Sequence, residues 1–177
     1  MPAKPKSLNA RLARVKILLC DVDGVLTDAS VFIGGKEEIK RFNILDGLGI
    51  VLLRRAGIKI GWVSSRPSSA TKLRADELKI DFLLQQKESK VAIIESLLAR
   101  IGFTWAEVCY VGDDVVDLGA LKRAGVAIAV ANAVTEAKAA AYYITKRSGG
   151  HGAVREVVEM ILKAQNKWKP FVVEYAE

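Results

Sequence analysis

Two short stretches of the chain concentrate its carboxylates where chemistry is possible. Asp21 and Asp23 close the apolar run Val15–Cys20 in the sequence Asp21-Val22-Asp23-Gly24. Asp113, Asp114 and Asp117 close a second run, Val108–Val111, directly after Gly112. Carboxylates one residue apart repel one another unless something cationic sits among them. If the two apolar runs are neighbouring parallel strands, four or five carboxylates converge on one sheet edge. So many hard oxygen donors suit Mg²⁺, which takes one or two carboxylates together with water and phosphate oxygens. A single Asp-x-Asp is explained equally well by a turn or a helix cap. Two acidic clusters, each ending an apolar run, favour the metal.

The elements that must position these groups can be read from periodicity. After the first strand, Val31–Ile33 and Glu38–Phe42 flank Gly34-Gly35-Lys36 as a β-hairpin. Asp46 is placed to cap a helix running to Ala56, stopped by Gly57. Strands are expected at 58–63, 81–84, 108–111, 126–130 and 142–144. Helices are expected at 67–78, 89–101, 114–124, 134–140 and 152–165, the second with Val91, Ile94, Leu97, Leu98 and Ile101 on one face. This alternation predicts an α/β fold, a doubly wound parallel sheet covered by helices on both faces, with a β-hairpin flap. The expected division is a flexible basic extension over 1–14, one domain over 15–165 and a C-terminal tail over 166–177.

The 177 residues suffice for one domain with a sizeable core. Apolar residues make up 51% and charged ones 27%, a globular balance that excludes wholesale disorder. No apolar stretch reaches the roughly 18–20 residues that cross a bilayer, and the N-terminal segment lacks a signal-peptide core. Cys20 and Cys109 are too few for a disulfide framework and sit inside predicted strands. A cytoplasmic, membrane-free protein is expected. The net charge of +7 gathers at the ends, in Lys4, Lys6, Arg11, Arg14, Lys16, Lys163, Lys167 and Lys169, with no stacking motif to mark a nucleic-acid partner.

Four segments in order, DVDGVLTD, WVSSR, KESK and GDDVVD, resemble the four motifs of the haloacid dehalogenase superfamily. Two more, KRFNILDGLGI (40–50) and GGHGAVREV (149–157), are similar to its small capless sugar-acid phosphatases. The segment 21–57 is filled by the hairpin and one helix, which leaves no room for an inserted cap domain. The resemblance implies phosphoryl transfer with Asp21 as nucleophile and Asp23 as the acid that protonates the leaving alcohol and then activates water. It implies Mg²⁺ held by Asp21, the backbone carbonyl of Asp23 and Asp113, with Asp114 and Asp117 in support; Asp114 has an equal claim as a helix N-cap. Ser64 would bind a phosphoryl oxygen, with Ser65 adding a backbone N–H. Lys90 would neutralise the phosphate, with Lys87 as the alternative.

Substrate selectivity falls to Arg66, whose guanidinium suits a carboxylate, to Asp46 for sugar hydroxyls and to His151. The last stands where the resembled segment has Arg. Arg155 is read as a structural ion-pair residue. The implied substrate is 3-deoxy-octulosonate 8-phosphate, a precursor of a lipopolysaccharide sugar. A nine-carbon keto-deoxy acid phosphate of sialic-acid type is the rival, and a phospho-accepting receiver module is the alternative of another class. The resemblance also implies a homotetramer in which a neighbouring subunit covers each site, supported by exposed apolar residues on the hairpin and aromatic residues in WKPFVVEY.

Overall fold

The computed structural model describes residues 7–34 and 37–177. In chain order it builds α1 (Leu8–Leu12), β1 (Ile17–Cys20), the hairpin strands β2 (Phe32–Gly34) and β3 (Glu37–Ile39), α2 (Ile44–Arg55), β4 (Lys59–Ser64) and α3 (Ser69–Leu78). There follow β5 (Phe82–Gln85), α4 (Lys90–Ile101), β6 (Val108–Gly112), α5 (Leu118–Leu121), β7 (Val126–Ala129), α6 (Thr135–Ala140), β8 (Tyr143–Ile144), α7 (Ala153–Ala164) and α8 (Trp168–Glu174). Residues 1–6 of the expected extension, and Gly35 and Lys36 of the expected hairpin turn, lie outside the described residues.

Four successive apolar residues without polar alternation can be buried on both faces only at the centre of a sheet. β1 lies there, fully buried, in a parallel sheet of order β5-β4-β1-β6-β7-β8. From β1 the chain moves outward to β4 and β5, then crosses back to β6 and runs outward the other way. Right-handed crossovers therefore place α2 and α3 on one face and α4, α5 and α6 on the other. The reversal between β1 and β6 opens a crevice at their C-terminal ends, where open α/β sheets bind ligands. α7 returns to pack on α2, burying Val154, Val157, Val158, Ile161 and Leu162, spaced as one helical face.

Most expected strands and helices appear with boundaries shifted by a residue or two; the helix expected over 114–124 narrows to a 3₁₀ turn (Val115–Asp117) and α5, and the hairpin strand expected to reach Phe42 ends at Ile39. Three further features depart from expectation. Asn43, not Asp46, caps α2: its Oδ1 accepts from the N–H of Leu45 at 2.8 Å. Part of the extension is ordered, since α1 buries Leu12 and Arg11 donates to the Gly125 carbonyl at 2.9 Å. The tail is a helix: α8 packs Trp168 and Phe171 on the core, with the Arg155 and Arg55 guanidinium groups over their rings and an Arg55–Glu174 ion pair at 2.8 Å. An apolar run capped by a proline at 170 reads as a tail because the stripe is too short to show a period. Among the described residues no helix is long and apolar enough to cross a membrane.

Candidate active site

The strand register sets the site. Cys20 lies opposite Trp62 of β4 and Val111 of β6, so Asp21, Ser64 and Asp113 emerge together at the C-terminal edge. They line a cavity of about 300 Å³ together with Asp23, Ala29, Ser65, Arg66, Lys90, Asp114 and Val116.

Asp21 leaves the sheet with its N–H held by the Val111 carbonyl at 3.0 Å. The chain does not stay extended beyond it. The Val22 carbonyl accepts from the N–H groups of Leu26 and Thr27, so Asp23 reaches the cavity on a tight turn. Gly24 makes that turn at φ +96°, and a Cβ there would sit 2.0 Å from an Asp113 carboxylate oxygen. The Gly149-Gly150 pair buttresses the turn from behind. A Cβ at Gly149 would lie 1.7 Å from the Gly24 carbonyl oxygen, and the Gly150 N–H donates to the Val25 carbonyl at 3.0 Å.

Lys90, at the first turn of α4, sends a buried ammonium to Asp21 Oδ1 and Asp117 Oδ1, both at 2.7 Å. Lys87 is exposed and outside the cavity, so of the two lysines Lys90 is the one at the site. Asp117 is saturated. Its Oδ1 also accepts from the Tyr110 hydroxyl at 2.6 Å, and its Oδ2 from the N–H groups of Asp113 and Asp114 at 2.9 and 3.3 Å. Asp114 caps the following turn, accepting from the Val115 N–H at 2.6 Å, with its side chain exposed at the cavity rim.

Oxygen atoms of Asp21, Asp113 and Asp117 lie within 4.8 Å of one another. Because every acceptor direction of Asp117 is used, a cation there falls to Asp21 and Asp113. Asp113 Oδ1 is buried without a hydrogen-bond partner. Burial and the neighbouring carboxylates push Asp113 up to about 8, and burial pushes Asp21 up to about 6 against the pull of Lys90. A crowded, desolvated pair of carboxylates with one orphaned oxygen fits a small hard divalent cation.

Ser64, at the end of β4, is buried, and its hydroxyl exchanges hydrogen bonds with the Arg66 backbone: it donates to the carbonyl at 3.0 Å and accepts from the N–H at 3.1 Å. Arg66 reaches over the rim to Glu38 of the hairpin at 2.5 Å. Two expected ligands are elsewhere. Asp46 is 2% exposed and accepts from the Arg155 N–H at 2.7 Å, so it caps α7 and does not face the cavity; burial raises its pKa. A carboxylate beside a helix start binds its free N–H groups before any sugar. His151 lies outside the cavity, 3.4 Å from the Arg41 guanidinium, which itself pairs with Asp28. Arg155 pairs with Glu159 at 2.9 Å, as its structural reading holds.

A family model for haloacid dehalogenase-like hydrolases matches residues 74–157. The 3-deoxy-D-manno-octulosonate 8-phosphate phosphatase of Yersinia pestis is 38% identical over 89% of this chain and 84% of its own length. The chain belongs to the 3-deoxy-D-manno-octulosonate 8-phosphate phosphatase family of haloacid dehalogenase-like hydrolases. Among solved structures, the enzyme of this family from Moraxella catarrhalis, in complex with magnesium, phosphate and KDO, superimposes with a TM-score of 0.92 at 36% identity. That match covers 94% of this chain and 97% of the other. A probable phosphatase from Pseudomonas syringae gives 0.94 at 38% identity, covering 96% and 97%.

Membership of this phosphatase family makes the silent residues of the site informative. Tyr110 carries a hydroxyl to Asp117 and Lys40 an ammonium to Asp23 from outside the cavity, and neither stands out in the sequence. Tyr110 reads as one more apolar residue of a buried strand, and its position two before Gly112, on the same face of β6, is the only signal it gives. Lys40 lies in the expected second hairpin strand, Glu38–Phe42, where nothing in the sequence marks its side chain as buried.

Proposed function

We propose that this protein is a Mg²⁺-dependent phosphatase that hydrolyses 3-deoxy-D-manno-octulosonate 8-phosphate to the free sugar acid and phosphate. The observation that carries the reading is Asp21: a buried carboxylate at the end of the central strand, flanked by Lys90 and by Asp113, with Asp23 on the same cavity wall. An Asp21 oxygen attacks phosphorus in line, forming an aspartyl-phosphate as the bond to the sugar oxygen breaks. Asp23 gives its proton to that departing oxygen. It then takes a proton from the water that attacks the phosphoenzyme, releasing phosphate and restoring Asp21. Lys90 and the Ser64 hydroxyl face the phosphoryl oxygens, with the Ser65 N–H beside them. Asp21, Asp113 and the Asp23 carbonyl hold the Mg²⁺, which neutralises phosphate charge when bound.

Arg66 is the group in the cavity suited to the substrate carboxylate, its bond to Glu38 holding it extended at the rim. The similarity to eight-carbon sugar-acid phosphatases favours that substrate over a nine-carbon one. Asp23 favours turnover over a receiver module. The product is a lipopolysaccharide sugar made in the cytoplasm. The assembly is a homotetramer, supported by Phe32, Ile33 and Ile39 of the hairpin and Ile44, Leu45 and Leu48 of α2, all exposed in the single chain. A neighbour seated on the hairpin covers the open cavity.

Phosphate release from 3-deoxy-D-manno-octulosonate 8-phosphate with Mg²⁺ tests the reading. Wild type turns over repeatedly, and Asp21→Asn, which keeps the volume and removes the attacking charge, retains less than about a hundredth of the rate. An Asp21→Asn variant as fast as wild type sinks it.

A further inference from the structure

The flap strand β3 delivers one charged side chain to the catalytic turn that the chemistry above leaves without a role. Lys40, immediately after β3, has a side chain with no exposure at all. Its Nζ lies 2.7 Å from Asp23 Oδ1, 3.2 Å from the Thr71 hydroxyl of α3 and 3.5 Å from Glu38 Oε1. One N–H donates to the Thr71 hydroxyl and the two carboxylate oxygens balance the charge as ion pairs, so the ammonium is enclosed on three sides. Thr71 is itself fully buried. Glu38 is pinned in turn, accepting from the Ser68 hydroxyl at 2.7 Å and pairing with Arg66 through its other oxygen.

A buried lysine is costly unless its partners are fixed, and here they join three elements: the turn after β1, the hairpin and the N-terminal turn of α3. Lys40 does not line the cavity, whereas Asp23 does. The ammonium therefore grips one oxygen of Asp23 from behind the wall and leaves the other for the substrate. Asp23 sits on a turn of its own, with no backbone ladder to aim its side chain.

We propose that Lys40 is a positioning residue for proton transfer: it holds the Asp23 carboxyl toward the leaving-group oxygen and ties that alignment to the docked hairpin. The inference rests on Asp23 being the acid of the proposed reaction. No bond is made or broken at Lys40, and the proton still passes from Asp23 to the departing oxygen.

A purely structural lysine slows every substrate alike. A positioning residue for the acid slows those whose leaving group needs the proton. The experiment measures kcat/KM, which reports the step in which the alcohol departs, for benzyl, phenyl and p-nitrophenyl phosphate with Mg²⁺. The p-nitrophenolate leaves without help and benzyl alcohol does not. Asp23→Asn is the reference, expected to lose about a hundredfold or more on benzyl phosphate, the usual reach of general acid catalysis, and far less on p-nitrophenyl phosphate. Lys40→Met is expected to reproduce that selectivity, losing at least about tenfold on benzyl phosphate and under about threefold on p-nitrophenyl phosphate. Thr71→Val, which removes one of the three partners at nearly constant volume, is expected to shift the same way by less, and it decides the matter if Lys40→Met does not fold. Equal losses on both substrates, or none, overturn the positioning role while Asp23→Asn remains selective. An unselective Asp23→Asn removes the acid itself, and the inference with it.

Discussion

At the scale of the residue, the site is a contest between carboxylates for few positive charges. Lys90 is spent on Asp21 and Asp117, and Tyr110 with two backbone N–H groups completes Asp117. Asp113 is left beside Asp21 and is pushed up to about 8, with Asp21 at about 6. Both lie above the ordinary carboxylate value, so the folded metal-free protein binds more protons than the unfolded chain between about pH 4 and 8. Stability must then fall as pH rises through that window. Buried Asp46, also raised, adds in the same direction. In chelator, the melting temperature is expected to drop by a few degrees from about pH 5 to about pH 8, and Mg²⁺ is expected to restore more of it at the higher pH because its ligands must be deprotonated. A metal-free melting temperature that rises over this range refutes the assignment of the two carboxylates. The acidic clusters were legible because each directly follows an apolar run. The hydrogen bonds that separate a ligand from a clamp were not, since Asp113 and Asp117 look alike until Tyr110 and the backbone N–H groups are in place.

At the scale of the element, what matters is how closely unlike segments approach. The turn after β1 is held against the loop before α7, with Gly149 under the Gly24 carbonyl and Gly24 under the Asp113 carboxylate. A methyl group at Gly149 has no space. Overpacking of this kind costs about 1–3 kcal/mol or more, and a shift of about 1 Å at reacting groups can cost about a hundredfold in rate. Gly149→Ala is therefore expected to fold with a lowered melting temperature and to lose at least about tenfold in kcat; unchanged kcat shows that the turn tolerates displacement. Strands and helices were readable from period and caps almost throughout. The misplaced cap of α2 and the misplaced Asp46 share a cause in competition for helix ends. Asn43 precedes the apolar run and wins the cap of α2, which frees Asp46 to serve α7, distant in sequence and invisible to local spacing.

For the whole molecule, a doubly wound parallel sheet followed from the alternation of elements and the lack of room for an inserted cap from the length of segment 21–57, whereas the strand order emerges only in the structure. So does the attachment of the chain's last helix, because it depends on surfaces brought together from distant segments. α8 rests on the C-terminal end of α2, where Lys167 donates to the Ala56 carbonyl at 3.0 Å, at the strand ends opposite the cavity. Its removal is thus an insult to stability in the single chain. The proposed cover of the site by a neighbouring subunit falls to the hairpin side. Phe32 and Ile33 are 58% and 81% exposed, and burying side chains of this size contributes about 1.5–3 kcal/mol each. The pair Phe32→Ser and Ile33→Ser is expected to convert a tetramer into smaller species by light scattering at micromolar concentration and to raise KM with it. A wild-type monomer with full turnover sinks the assembly.

The contact between Gly24 and Gly149 also fixes an order of events during synthesis. Asp21, the proposed nucleophile, is made more than a hundred residues before the support beneath its turn. Its central strand must likewise wait for residues 108–112 before its second neighbour exists. A nascent chain halted just short of residue 149 therefore carries every charged group of the cavity and still lacks the support beneath the turn that aims them, so phosphate-ester cleavage waits for the segment 149–150.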